Sequence, residues 1–359
     1  MEKKRIGVLT SGGDCPGLNA VLRGIVRAAT PLGWEVVGFL DGFEGLLPPG
    51  RFMALDQRNT AGIGHVGGTI LGTTNKGHFT AKARRGDVRK IRGEIIERAR
   101  LTLKTLRIDV LVAIGGDGSL TTALQMHEAG IPVIGVPKTI DNDIEATSAT
   151  FGFDSALACV AQSLDRLHST ATSHKRVMVV EVMGRHAGWI ALHGGLAGGA
   201  DIILIPEIPF DYERVAETVR RREKEGCRST LVVVAEGARP RKGRAVVHAT
   251  GPGEFRLGGI GEIVAREINR RTGKDTRVCV LGHLQRGGEP TTTDRILGTR
   301  FGVQAVKLIQ EQKFGRMVSL QNDFVMDVPI AEAVNRLRLV PPDSQMVQHA
   351  RAVGISFGD

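Results

Sequence analysis

Short apolar runs rich in β-branched residues recur along this chain, and helical patterns alternate with them. Ile6–Leu9, Val36–Leu40, Val110–Ile114 and Pro132–Val136 read as strands buried on both faces, because each is continuously apolar. Between them, Leu18, Val21, Leu22, Ile25, Val26 and Ala29 keep helical spacing, as do Ile95, Ile96, Ala99, Leu103 and Leu106. A second set of strands begins with Val177–Val182, Ile202–Ile205 and Leu231–Ala235 and ends with Val278–Leu281. This alternation predicts an α/β protein with parallel sheets covered by helices on both faces. A chain of 359 residues then accommodates about two domains, each a mainly parallel sheet flanked by helices.

Hydrophobic residues at 42% and charged residues at 24% are ordinary for a globular protein and exclude global disorder. No run approaches the roughly 18 apolar residues of a membrane helix, and Met1–Arg5 lacks the pattern of a signal peptide. A cytoplasmic protein is expected, with no membrane partner. Cys15, Cys159, Cys227 and Cys279 are far apart, so reduced, structural cysteines are expected rather than a zinc site or disulfide framework. The net charge of +10 favours anionic partners. Aromatics are only 4% and no nucleic-acid-binding motif is present, so phosphorylated small molecules fit at least as well as nucleic acid. The basic stretch Lys82–Lys104 reads as a solvated face.

Glycine is in excess, 47 residues, about twice the ~7% average usage. The clusters sit at strand ends, where ligands of open α/β sheets bind. Thr10–Asn19 joins a strand to a helix through Gly12-Gly13. It reads equally as a phosphate cradle or as a plain turn, since neither the Walker A nor the GxGxxG pattern is met. Gly115-Gly116-Asp117-Gly118-Ser119 is a stronger signal. Its glycines admit phosphate, and the aspartate suits Mg²⁺. Asp141 and Asp143, two apart in Pro137–Asp143, would face the same way in an extended segment, one as a base and one toward metal-bound water. Arg176, Arg185, Glu236, Arg277 and His283–Arg286 mark further strand ends, and arginine suits bidentate phosphate recognition.

Six ordered motifs, TSGGDCPGLNA, GGDGS, PKTIDND, SHKRVMVVEVMGRHAG, the AEG around Glu236 and TRVCVLGHLQRGG, together resemble the 6-phosphofructokinase family over roughly residues 5 to 310. The resemblance implies a Rossmann-like phosphofructokinase fold. It implies a phosphoryl-donor domain of 1–152 plus about 285–335, and a sugar-phosphate domain of 153–284 plus about 336–359. The implied activity is Mg²⁺-assisted phosphoryl transfer to the 1-hydroxyl of fructose 6-phosphate in glycolysis. By the same resemblance Asp141 is the general base, Asp117 the Mg²⁺ ligand with Asp143 in its charge network, and Arg185 the group that stabilises the transferring phosphoryl. Thr139 and Lys138 join the catalytic set. Gly13, Asn75, Lys76, Gly116, Asp117, Gly118 and Ser119 match donor-binding positions. Thr139, Ile140, Asp141, Met183, Gly184, Arg185, Glu236, His283, Leu284, Gln285 and Arg286 match the sugar-phosphate pocket. Arg176 and Arg277 match residues supplied by a neighbouring subunit, which implies a homotetramer or homodimer.

The donor is read from two positions. Pyrophosphate users of the family carry aspartate where this chain has Gly118, and glycine leaves room for a nucleotide, so ATP is expected. Lys138 matches pyrophosphate users and also a mixed-substrate subgroup with ATP-dependent members, which keeps a pyrophosphate-dependent enzyme as the alternative. A non-catalytic nucleotide sensor, another GGDG kinase such as an NAD kinase, and a basic nucleic-acid binder are the remaining readings. Asn75 stands where familiar bacterial members have an ATP-contacting arginine. Arg23 and Arg27 match part of the family's effector site, while Cys227 and Asp201 depart from its lysine and glutamate. The residues from about Phe314 onward suggest a packed extension.

Overall fold

The computed structural model describes residues 3–84, 87–243, 247–251 and 254–359. The chain forms two compact units. The first comprises Met1–Ile140, Ile144–Ser155 and Arg286–Leu337, and the second Asp141–Asp143, Ala156–Gln285 and Arg338–Asp359.

The first unit begins with β1 (Arg5–Ser11), α1 (Leu18–Ala29), β2 (Glu35–Phe39), β3 (Phe52–Leu55), β4 (Lys82–Arg84), β5 (Asp87–Val88), α2 (Gly93–Thr105), β6 (Val110–Gly115), α3 (Asp117–Glu128) and β7 (Val133–Pro137). Helix α4 (Phe153–His174) leads into the second unit. There follow β8 (Val177–Val182), α5 (Trp189–Ala197), β9 (Ile202–Leu204), α6 (Tyr212–Lys224), β10 (Thr230–Ala235), β11 (Val247–Gly251), β12 (Glu254–Leu257), α7 (Ile260–Thr272) and β13 (Thr276–Val280). The chain returns to the first unit with α8 (Thr292–Gln310), β14 (Arg316–Gln321), β15 (Phe324–Pro329) and α9 (Ile330–Asn335), and ends in the second with α10 (Gln345–Ala352).

The first unit is built on a seven-stranded sheet of order β15-β14-β7-β6-β1-β2-β3. Its five inner strands are parallel, and β15 and β3 pair antiparallel at the two edges. The second unit carries a parallel sheet of order β13-β8-β10-β9. The eight apolar runs named above all fall in strands of these sheets. Seven are buried, as a parallel strand covered on both faces requires, while β13 at the edge of the second sheet is only part-buried. Residues 85 and 86 of the basic stretch lie outside the described residues. The segment Glu44–Thr80 holds β3 and a 3-10 turn at Ile63–His65 among its loops. Beyond the expected strands, the C-terminal extension supplies β14 and β15. Met317 and Val318 of β14 are fully buried, so the extension completes the core of the first unit.

Two buried carboxylates fix helix positions in this framework. Glu181, 3% exposed near the carboxyl end of β8, accepts the Gly259 N–H at 2.9 Å and the Gly261 N–H at 2.7 Å. It places negative charge at the N-terminus of α7, where orphan N–H groups and the helix dipole favour it. Asp294, 1% exposed in the first turn of α8, accepts both the Ser155 N–H (2.8 Å) and hydroxyl (2.6 Å), which ties α8 to the start of α4. Burial pushes the Asp294 carboxyl up to about 6, against the opposing effect of the Ser155 hydrogen bonds. A carboxyl raised in the folded state stabilises the fold when protonated. That contribution is complete below the unfolded value near 3.8 and is lost as pH rises through about 6. Asp294→Asn keeps the carbonyl acceptor and cannot ionise. The gap in unfolding free energy between wild type and variant is expected to move by up to about 3 kcal/mol between pH 4 and pH 7, in favour of the variant at pH 7. Parallel stability curves for the two proteins in urea would show that Asp294 does not titrate this way.

Candidate active site

In the first sheet β2 lies on one side of β1 and β6 on the other, so the strand order reverses between β1 and β6. Ligands of open α/β sheets bind beyond the carboxyl ends of strands at such a reversal. Ser11 at the end of β1 is in register with Gly115 at the end of β6, so the two glycine-rich loops leave the sheet side by side. Gly12 has φ 87°, a left-handed conformation that glycine adopts without a Cβ penalty. A Cβ on Gly12 would lie 3.3 Å from the Ser119 hydroxyl and 3.5 Å from the Lys138 ammonium, and one on Gly13 would lie 2.8 Å from Nη1 of Arg286. The absence of side chains here leaves room among a hydroxyl and two cations.

Each cation is anchored to the β1–α1 loop. Lys138, 4% exposed just after β7, donates from Nζ to the Gly13 carbonyl. Arg286 Nη1 donates to the Asp14 carbonyl at 3.0 Å. Asp117 and Gly118 open α3 just beyond the carboxyl end of β6, and the N–H groups of a helix N-terminus suit an anion. The loop carrying Asn75 and Lys76 joins the same neighbourhood, because Gly12 N–H donates to Thr74 O at 3.0 Å and the Thr73 hydroxyl donates to Gly12 O at 2.7 Å. Thr73 and Thr74 escaped sequence reading, since a threonine in a Gly/Thr-rich loop carries no signal of its own. Behind the loop, burial pushes the Cys15 thiol up to about 12, which leaves it an inert core group.

The second unit repeats the arrangement. β10 flanks β8 on one side and β13 on the other, and the loops after β8, β10 and β13 leave from the carboxyl ends. Gly184, after β8, has φ 136°, and its carbonyl accepts the Gly237 N–H at 3.2 Å. Glu236 N–H donates to Val182 O at 2.9 Å. Gln285 is buried in the 3-10 turn Gly282–Arg286, with its amide bonded to Met183 N–H and Gly282 O. Met183, Gly184, Glu236 and Gln285 are thus drawn together, with Arg185 exposed on the β8 loop and His283 and Leu284 exposed on the 3-10 turn. Thr139 and Ile140 belong to the first unit and Asp141–Asp143 to the second. Ile140 is fully buried, so only its backbone remains for a ligand.

Arg176 and Arg277 do not join this group within the chain. They stand at the amino ends of β8 and β13, and the seven-residue step from Arg176 to Met183 spans about 23 Å in an extended strand. Asp275 bridges them, with one carboxylate oxygen on Arg176 Nε and the other on Arg277 Nη1. This acidic bridge went unread, although Asp275 lies two residues before Arg277. At the other candidate positions, Arg27 Nη1 donates to Gln57 Oε1 at 3.4 Å. Asp201 pairs with Arg222 at 2.8 Å and accepts the Leu231 N–H at 2.7 Å, while Cys227 is exposed. Among the described residues no group of three or more His, Cys, Asp or Glu gathers as a metal cage, and no helix is long and apolar enough to cross a membrane.

Paired glycine-rich loops at a strand-order reversal, backed by a helix N-terminus and two cations, define an α/β framework chemically suited to phosphate groups. The comparisons narrow the class. The phosphofructokinase family profile matches residues 5–309. The ATP-dependent 6-phosphofructokinase of Chloroflexus aggregans is 54% identical over 100% of this chain and 99% of its own. The pyrophosphate–fructose 6-phosphate 1-phosphotransferase of Amycolatopsis methanolica is 49% identical over 94% of this chain and 97% of its own. The structure of phosphofructokinase from Saccharomyces cerevisiae superposes with a TM-score of 0.81 at 33% identity over 93% of this chain, which spans 45% of the yeast chain. The chain belongs to the phosphofructokinase family.

Proposed function

We infer that this protein is an ATP-dependent 6-phosphofructokinase, converting fructose 6-phosphate and ATP into fructose 1,6-bisphosphate and ADP in glycolysis. The observation that carries the reading is end-to-end similarity, above half identity, to a relative named for that activity, with Gly118 at the start of α3. The first unit holds the donor and the second the acceptor. Asp141 accepts the proton of the sugar 1-hydroxyl as that oxygen bonds to the terminal phosphorus of ATP. The bond from that phosphorus to the bridging oxygen breaks, and ADP leaves. Arg185 stabilises charge on the transferring group, and Lys138 neutralises donor phosphate beside the Gly13 loop. Thr139 and the Ile140 backbone orient the acceptor. Met183, Gly184, Glu236, His283, Leu284 and Arg286 bind it, and Gln285 holds the two acceptor loops in place.

Asp117 offers one hard oxygen donor next to the glycine-lined loop, which suits a Mg²⁺ ion that completes its shell with water and phosphate oxygens. Mg²⁺ held there would supply charge neutralisation on the donor. Gly13, Asn75, Lys76, Gly116, Gly118 and Ser119 complete the donor site. Arg176 and Arg277 serve the acceptor site of a neighbouring copy, so a homotetramer or homodimer is the working assembly. Soluble sugar phosphates as substrates suit an enzyme of the cytoplasm.

Lys138 and the Amycolatopsis methanolica relative favour a second reading, in which pyrophosphate is the donor. Fructose 1,6-bisphosphate formation with Mg²⁺ and either ATP or pyrophosphate, run in parallel, decides between them. Turnover with ATP is expected, and turnover with pyrophosphate alone would overturn the assignment of donor.

A further inference from the structure

The family profile ends at residue 309, and a residue well beyond it holds the loop on which the proposed chemistry turns. Asp141–Asp143 groups with the second unit, although the residues on either side, Ile140 and Ile144, group with the first. Arg338 opens the C-terminal segment of that second unit and hydrogen-bonds to this triplet. Its backbone N–H donates to Asp143 O at 2.9 Å, and its Nη1 donates to Asn142 O at 3.4 Å. Asn142 is buried with φ 51°, a left-handed conformation that costs an ordinary residue free energy and that asparagine tolerates best among non-glycine residues. The orientation of its peptide sets the directions in which the two flanking aspartates leave the backbone.

Arg338 is itself held. Its guanidinium lies over the Trp189 ring, 4.6 Å from the centroid, and Trp189 Nε1 donates to the Arg338 carbonyl at 2.9 Å. Trp189 opens α5, and the preceding residue, Gly188, donates its N–H to Glu207 at 2.9 Å. The same Glu207 oxygen accepts the Val340 N–H at 2.9 Å, two residues after Arg338. The C-terminal segment is therefore pinned to the start of α5 at Arg338 itself and, through Glu207, two residues after it. Only a planar cation can stack on an indole through its face and donate to a carbonyl from its edge at the same time, which is why arginine rather than lysine suits the position.

We propose that Arg338 is a positioning residue for phosphoryl transfer: with Trp189 it clamps the left-handed Asn142 peptide and so aims the Asp141 carboxylate at the acceptor hydroxyl. This rests on the reading of Asp141 as the base. A displaced base loses rate more than affinity, because misplacement of about 1 Å can cost 10²-fold. Arg338→Met keeps the backbone contact and the alkyl stem but loses the cation and the edge donors. It is expected to lower kcat by about 10-fold or more, normalised to fructose 6-phosphate binding sites, with KM for that sugar within about threefold. Trp189→Leu is expected to give the same loss, and the double variant no more than either single one. Arg338→Lys keeps charge over the ring without the planar fork and is expected to lose about fivefold in kcat. Wild-type kcat per binding site in Arg338→Lys overturns the proposal even where Arg338→Met does not fold. Asp141→Asn is measured alongside. If it is inactive while the Arg338 variants are unimpaired, the clamp alone falls. If it keeps wild-type kcat, the assignment of the base falls and takes the clamp with it.

Discussion

Asp141→Asn is expected to lower kcat for phosphorylation of fructose 6-phosphate by at least the ~10²-fold typical of a positioned general base. The amide has the size and shape of the carboxylate but cannot accept the hydroxyl proton. Asp141 is half-buried, between the fully buried Ile140 and the left-handed Asn142, so the backbone that carries it is set by its neighbours rather than by its charge. KM for the sugar should therefore stay within about threefold and thermal stability should be unchanged, the signature of an interaction made only in the transition state. Steady-state kinetics and a thermal melt check both. A kcat within tenfold of wild type would remove Asp141 from the role of base.

Gly118→Asp is expected to raise KM for ATP by about 100-fold or more. Two unit charges about 4 Å apart near a protein surface repel by up to ~4 kcal/mol, enough for a loss of that size. Gly118 is the second residue of α3, and its carbonyl accepts the Thr122 hydroxyl at 3.2 Å. An aspartate in the first turn of a helix is favourable to the helix, so a loss of ATP use in this variant is not explained by unfolding. Gly118→Ala separates bulk from charge and should fall between wild type and the aspartate variant. Pyrophosphate, which has no nucleotide to place, should suffer less, so the ratio of ATP to pyrophosphate turnover should fall. Unchanged ATP kinetics in Gly118→Asp would refute the steric and electrostatic reading of this glycine.

The readability of the fold varied with the kind of strand. The parallel strands at the centre of both sheets stood out as continuous apolar runs, since each is buried on both faces. The antiparallel edge strands of the first sheet did not. In β15, Phe324 and Met326 are exposed while Val328 is buried, and such mixed segments resemble ordinary surface sequence. The extension that carries β14 was legible as packed, but its pairing with β7 depends on a partner about 180 residues away in sequence. At the candidate site the loops were visible because glycine at a strand end has few other uses. Asp275 and Arg338 were not, because one charged residue near a strand end looks like any surface charge until its partners are known.

By itself the sequence determined the class of fold and the family, because both are written in local patterns: apolar runs with a period, and six motifs in order. It also determined which side chains are chemically able to act. The tertiary structure decided which of them stand together. Lys138 meets the Gly13 carbonyl across 125 residues, Arg286 meets Asp14 across 272 and Arg338 meets Asn142 across 196. Contacts of that range follow from which strands pair, in which register, and where the chain passes from one unit to the other. Those are outcomes of burying all the apolar runs at once, and no single segment contains them.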